Sequence, residues 1–98
     1  MVNRVEFSND YLSELNSIIR YLRSNASDQA SEKFFDLIKK QVTQLESNRV
    51  EGRRVPTRKT IRFVLVGKYH RMYYRKHGLT LYITHIFDTR QDPNKRPY

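Results

Sequence analysis

Residues 60–87 read TIRFVLVGKYHRMYYRKHGLTLYITHIF, and this stretch decides the fold. Three runs rich in Ile, Val, Phe, Tyr and Thr are separated by Gly67 and Lys68 and then by His77 and Gly78. Gaps of two residues containing a glycine suit tight hairpin turns, so the stretch predicts three consecutive antiparallel strands. Upstream, residues 49–60 (RVEGRRVPTRKT) carry a Gly and a Pro among charges and read as a polar connector.

Before the connector the period changes from two to about 3.6. Ser8 stands where an N-cap belongs, and Tyr11, Leu12, Leu15, Ile18, Ile19 and Leu22 follow as one helical stripe. The stretch SNAS (24–27) breaks that pattern. Ser27 is a second N-cap, Asp28 favours the positive helix end, and Ala30, Phe34, Leu37, Ile38, Val42 and Leu45 form a second stripe. Val5 and Phe7 alternate with Arg4 and Glu6 as in a short half-buried strand. The expected fold is α+β in the order β-α-α-β-β-β: a short N-terminal strand, then an antiparallel two-helix hairpin packed on one face of a small antiparallel sheet.

At 98 residues the chain is read as one domain, residues 1–98, with one small core. It has no cysteine, so neither disulfides nor thiolate metal sites enter, and a reducing cytoplasm is compatible with it. No leader-like or membrane-spanning apolar stretch is evident, and the chain is read as soluble, untargeted and cytoplasmic. No repeat or low-complexity tract appears.

The net charge of +9 is segregated. Residues 1–48 hold six Lys/Arg against seven Asp/Glu, whereas residues 49–98 hold thirteen against three. A half this basic points to a polyanion or an acidic protein as partner. Strand parity sorts the charges. With Ile61, Phe63 and Leu65 toward the helices, Arg62, Val64 and Val66 face away; His70, Met72 and Tyr74 face in, leaving Tyr69, Arg71, Tyr73 and Arg75 outside. In the third strand Leu81, Ile83 and Phe87 face in, while Tyr82, Thr84 and Ile86 face out. Arginines among tyrosines on an uncovered face suit phosphates through charge and bases through stacking. The same pairs also stabilise a half-exposed sheet without any ligand.

The residues VEFSNDYLSELNSIIRYL (5–22), GRRV (52–55), GKYHRMYYR (67–75) and IFDTRQDP (86–93), in this order and spacing, resemble the RelE/ParE superfamily of toxins from type II toxin-antitoxin systems. The arginine-centred ending looks closer to the ParE branch. The resemblance implies a small basic bacterial toxin of the plasmid-stabilisation kind, neutralised by a cognate acidic antitoxin and working in the cytoplasm without cofactor or metal. ParE-like members bind DNA gyrase and stall it, with no chemistry of their own. RelE-like members cut mRNA in the ribosome, using basic residues on the sheet, a strand-end arginine and a tail aromatic. Carried over singly, these fall on Arg62, Arg71, Arg90 and, loosely, Tyr98. Val64 stands where a further basic residue is expected. The candidate target-binding set is Arg62, Tyr69, Arg71, Tyr73, Arg90, Lys95 and Arg96. A non-toxic nucleic-acid-binding module is a further alternative.

In-line attack by a ribose hydroxyl needs a proton acceptor and a proton donor, and arginine is poor at both. Three histidines remain. Parity points His70 and His85 toward the helices, His70 as a structural residue, and His77 lies in a turn. No His spacing suits a metal, and no carboxylate pair is near them in sequence. Asp88 is expected to order the tail by pairing with Arg90 or by capping a turn. The tail itself, DTRQDPNKRPY (88–98), is expected to leave the sheet as an irregular segment, because Pro93 cannot continue a ladder.

Overall fold

The computed structural model describes residues 2–98. Strand β1 (Arg4–Phe7) leads into helices α1 (Asn9–Asn25) and α2 (Asp28–Glu46), followed by β2 (Arg53–Val55), β3 (Arg58–Val66), β4 (His70–His77) and β5 (Thr80–Asp88). A 3₁₀ turn at Pro93–Lys95 lies in the last segment. Both expected N-caps form. Ser8 Oγ accepts from the Tyr11 amide at 3.0 Å and Ser27 Oγ from the Ala30 amide at 2.9 Å. Ser8 Oγ also donates to the Thr84 carbonyl at 2.6 Å, so the cap of α1 ties the helix to β5.

The sheet has five strands in the order β1-β5-β4-β3-β2. The three-strand meander is as the hairpin turns require, with Gly67 and Gly78 at φ 66 and 59, where a side chain is disfavoured. Two features extend the expected sheet and make it mixed. β1 pairs with β5 in parallel, Val5 beside Leu81, and the helical hairpin supplies the long connection that a parallel pair needs. The polar connector contains β2, a three-residue edge strand whose Arg53 and Arg54 lie opposite Phe63 and Arg62. Short charged edges protect a sheet from further pairing, and that brevity kept the strand from view in the sequence.

The helices bury Tyr11, Phe34, Ile38 and Leu45 against Val64, Val66, Met72, Tyr74, Leu81, Ile83 and Ile86. Met72, Leu81 and Ile83 are fully buried, each worth about 1.5–3 kcal/mol of transfer free energy. Burial also pushes the Tyr11 hydroxyl up to about 12. A second buried cluster lies on the other face: Val55, Ile61, Phe63, Tyr73 and Phe87, with Tyr98 packed against it.

This second cluster corrects the parity of two strands. In β3 it is Val64 and Val66 that face the helices, while Ile61 and Phe63 face away and Leu65 is exposed. A strand with apolar residues on both faces gives no parity signal, which is why the alternation misleads. In β5, Tyr73 pairs with His85 but Tyr74 pairs with Ile83, leaving Thr84 as an extra residue. This bulge inverts everything after it, so Ile86 packs under the helices and Phe87 on the far face. Gly52 lets the loop after α2 lie against β3, since a Cβ there would stand 2.4 Å from the Phe63 carbonyl oxygen.

Candidate functional site

Where β5 ends, the chain turns on Asp88. Its carboxylate accepts from the Arg90 amide at 2.8 Å, from Arg90 Nε at 3.1 Å and from Arg90 Nη2 at 2.7 Å. The Arg90 guanidinium lies over the Tyr69 ring, 4.2 Å from its centroid. This bidentate hold keeps the Asp88 carboxyl below its ordinary range, the Arg90 side-chain hydrogen bond being the main cause. His70 Nε2 stands 3.8 Å from Asp88 Oδ2 and its ring packs edge-on to Phe34. Burial pushes His70 below its ordinary value, with Asp88 opposing and Arg90 adding to the shift. The inward placing of His70 holds, with its ring against Phe34 of α2. Arg90 itself is exposed and spends two of its five N–H donors on Asp88, leaving a pre-aimed cation for a carboxylate or phosphate.

The sheet face away from the helices is less open than expected. Tyr73 is only 1% exposed, roofed by Tyr98, whose ring meets it edge-on at 5.2 Å. The Arg71 guanidinium lies over Phe63 at 4.3 Å and that of Arg75 over Tyr82 at 4.2 Å, so the arginine heads themselves cover aromatic surface. Lys95 and Arg96 are exposed on the segment that carries Tyr98 back to the sheet. Asp92 nucleates the 3₁₀ turn there by accepting from the Asn94 amide at 3.0 Å. The segment is irregular, as expected, and it is anchored: Tyr98 Oη donates to Thr84 Oγ1 at 2.9 Å.

Arg62 does not join this group. Sharing parity with Val64, it lies toward the helix side midway along β3, where Nη1 donates to the Gly52 carbonyl at 2.7 Å and Nη2 pairs with Glu51 at 3.0 Å. The structure thus brings together Tyr69 with Arg90 and places Arg71 and Tyr73 on one face, but separates both from Arg62.

His85 differs from its expected inward place because of the bulge. It sits at the sheet margin with Nδ1 3.1 and 3.2 Å from the two Glu14 carboxylate oxygens and its ring 5.4 Å from that of Tyr98. Glu14 also accepts from the Ile86 amide at 3.1 Å, occupying the β5 edge that β1 leaves free. Sequence reasoning missed Glu14. It lies 71 residues from His85, and only the crossing of α1 over β5 joins them. Among the described residues no cluster of His, Cys, Asp or Glu could hold a metal ion, and no helix is long and apolar enough to cross a membrane.

The fold, a helical hairpin packed on a five-stranded sheet, recurs in solved toxin-antitoxin structures. The chain superposes on one from the chromosomal ParDE system of P. aeruginosa with a TM-score of 0.70 at 19% identity, covering 87% of this chain and 94% of that one. It superposes on one from the E. coli DinJ-YafQ complex with a TM-score of 0.63 at 14% identity, covering 88% and 93%. At these identities the likeness is one of fold. No curated protein matches the sequence. Residues 5–93 match the family described as ParE toxin of type II toxin-antitoxin system, parDE, and the chain belongs to that family.

Proposed function

We propose that the protein acts by binding DNA gyrase in the bacterial cytoplasm, without chemistry of its own, and is neutralised by an acidic antitoxin. The observation that carries this reading is the Arg90 clamp: an exposed guanidinium, fixed by Tyr69 and by an Asp88 carboxylate already engaged in holding it, with a half-buried, downshifted His70 as the neighbouring base. Such a group recognises an anionic or hydrogen-bonding surface and is a poor acid or base. Arg71, Lys95 and Arg96 extend the contact, and Tyr69 forms its rim. Tyr73 is buried beneath Tyr98 and offers no exposed contact, and Arg62 lies apart.

An antitoxin partner is supported by the helix side. There Phe7, Leu12, Leu15, Phe35 and Val42 line an apolar groove of about 400 Å³, and Phe7, Leu12 and Phe35 are each more than 40% exposed. An amphipathic helix fits such a groove, and acidic flanks would meet the basic half of the chain. The test is gyrase supercoiling with purified protein: inhibition with accumulation of cleaved DNA, relieved by the antitoxin, is expected. Unaltered gyrase at saturating protein overturns the reading.

A second reading, ribosome-dependent cleavage of mRNA, is favoured by one observation. Glu14 holds His85 by Nδ1, leaving the other ring nitrogen for proton transfer beside the Tyr98 phenol. Transcript cleavage at codon positions, lost in His85→Gln, would establish it in place of gyrase binding.

A further inference from the structure

On the helix side of the sheet, beyond the end of α2, the loop 47–52 and the strands β3 and β4 enclose a cleft of about 440 Å³. Its walls are fixed by three bonds. Tyr74 Oη accepts from the Gly52 amide at 2.7 Å, Arg62 Nη1 donates to the Gly52 carbonyl at 2.7 Å, and Lys76 Nζ donates to Asn48 Oδ1 at 2.6 Å. Asn48 takes a left-handed conformation, φ 57, that asparagine tolerates better than most residues.

Donors outnumber acceptors inside this cleft. Arg62 has three N–H groups beyond those on Gly52 and Glu51, and Lys76 has two beyond the one on Asn48. Tyr74 is 2% exposed, and its own O–H proton finds no acceptor among the described residues. Burial holds that hydroxyl above its ordinary value, so it remains a donor at neutral pH. Lys59 adds one more cation to the lining, while Arg75 borders the cleft with its guanidinium held over Tyr82. The one carboxylate present, Glu51 on Arg62 Nη2, has a side chain 76% exposed and is free to swing into solvent when an anion arrives.

We propose that this cleft binds a phosphate ester of nucleotide size. Converging cationic donors, one of them a fork, fit a tetrahedral dianion better than a single carboxylate. The volume exceeds what a bare phosphate fills, and Val50 with the Tyr74 ring supplies an apolar wall beyond the cations. The phosphate could belong to a free nucleotide or to the end of a nucleic-acid strand. The site lies apart from Arg90, so it stands or falls independently of the gyrase reading.

The test is an amide chemical-shift titration of the whole chain with adenosine monophosphate, inorganic phosphate, and an oligonucleotide with and without a 5′-phosphate. Saturable shifts centred on Gly52 and Tyr74 are expected. Lys59→Ala with Lys76→Ala, both exposed, should weaken binding at least tenfold at an unchanged melting temperature. Lys39→Ala with Lys40→Ala, an equal charge loss on α2, should weaken it less than twofold. Preference for the mononucleotide assigns a free nucleotide, and preference for the phosphorylated oligonucleotide over its twin assigns a strand end; either supports the site. Equal weakening by the two double variants, no shift at Gly52, or inorganic phosphate binding as tightly as the nucleotide overturns it.

Discussion

The Arg90 guanidinium closes on the Asp88 carboxylate two residues before it, Nη2 to Oδ2 at 2.7 Å and Nε to Oδ1 at 3.1 Å, while its plane rests on Tyr69. An exposed arginine ordinarily samples many rotamers, and ordering it on binding costs about 0.5–1.5 kcal/mol. Here much of that ordering precedes the target. The pair is too exposed on the arginine side to add much stability, so its consequence is orientation.

Arg90→Ala should therefore weaken target binding tenfold or more, on the scale of about 1.5–3 kcal/mol for a charge-assisted contact, and move the melting temperature by no more than about 2 °C. Arg90→Lys should recover little, because an ammonium cannot keep the fork and the stack together. Growth arrest on induction and affinity for immobilised gyrase are the readouts; full toxicity and affinity in Arg90→Ala would place the contact elsewhere on the basic face.

His70 gives a prediction with a sign. Its folded value is depressed by burial, so the unfolded chain takes up its proton first as pH falls below about 6.5. The His70 contribution is present above that pH and is lost on acidification. Asp88, also depressed, adds a second loss below about pH 4. In a histidine ring-proton NMR titration Asp88→Asn should lower the His70 midpoint further, since Asp88 opposes the shift, and Arg90→Ala should raise it. A midpoint at or above the ordinary value in the parent chain would contradict the burial.

What was legible in the sequence follows from how local each signal is. Ser8 and Ser27 cap helices through bonds three residues long, and Gly67 and Gly78 sit in tight turns of three and two residues, so those elements were readable. The faces of β4 and of the start of β5 were readable too, but those of β3 and of the end of β5 were not, because β3 is apolar on both sides and the Thr84 bulge shifts β5 by one residue. Arg90 and Asp88, two apart, were paired correctly from sequence. Glu14 with His85, and Gly52 with Tyr74, depend on chain crossings that no window of sequence contains.

Gly52 supplies a stability prediction. A Cβ there meets the Phe63 carbonyl oxygen at 2.4 Å and Tyr74 Cε1 at 2.9 Å, and neither a strand backbone nor a buried ring can give way easily. Gly52→Ala should cost about 3 kcal/mol or more, at the upper end of overpacking, and it should disturb the Tyr74 hydrogen bond as well. Urea unfolding measures it. Gly78→Ala, with open space around its Cβ but φ 59, should cost only about 1 kcal/mol from backbone strain.

Tyr98 separates the two readings of function while testing how the last segment docks. Its ring seals Tyr73 and leans on His85, and its hydroxyl donates to Thr84 Oγ1. Tyr98→Phe keeps the ring contacts and should lose about 0.5–1.5 kcal/mol with the hydrogen bond. Tyr98→Ala also uncovers Tyr73, and an aromatic pair adds about 0.5–1.5 kcal/mol beyond its area, so a total near 2–3 kcal/mol is expected in urea unfolding. If both variants match the parent, the segment does not rest on the sheet in solution. Toxicity then discriminates. Gyrase binding through Arg90 has no use for the phenol proton, so Tyr98→Phe should remain toxic. Cleavage of RNA with Tyr98 as proton donor to the leaving oxygen should instead fall about 10²-fold or more in Tyr98→Phe, although the fold is nearly intact.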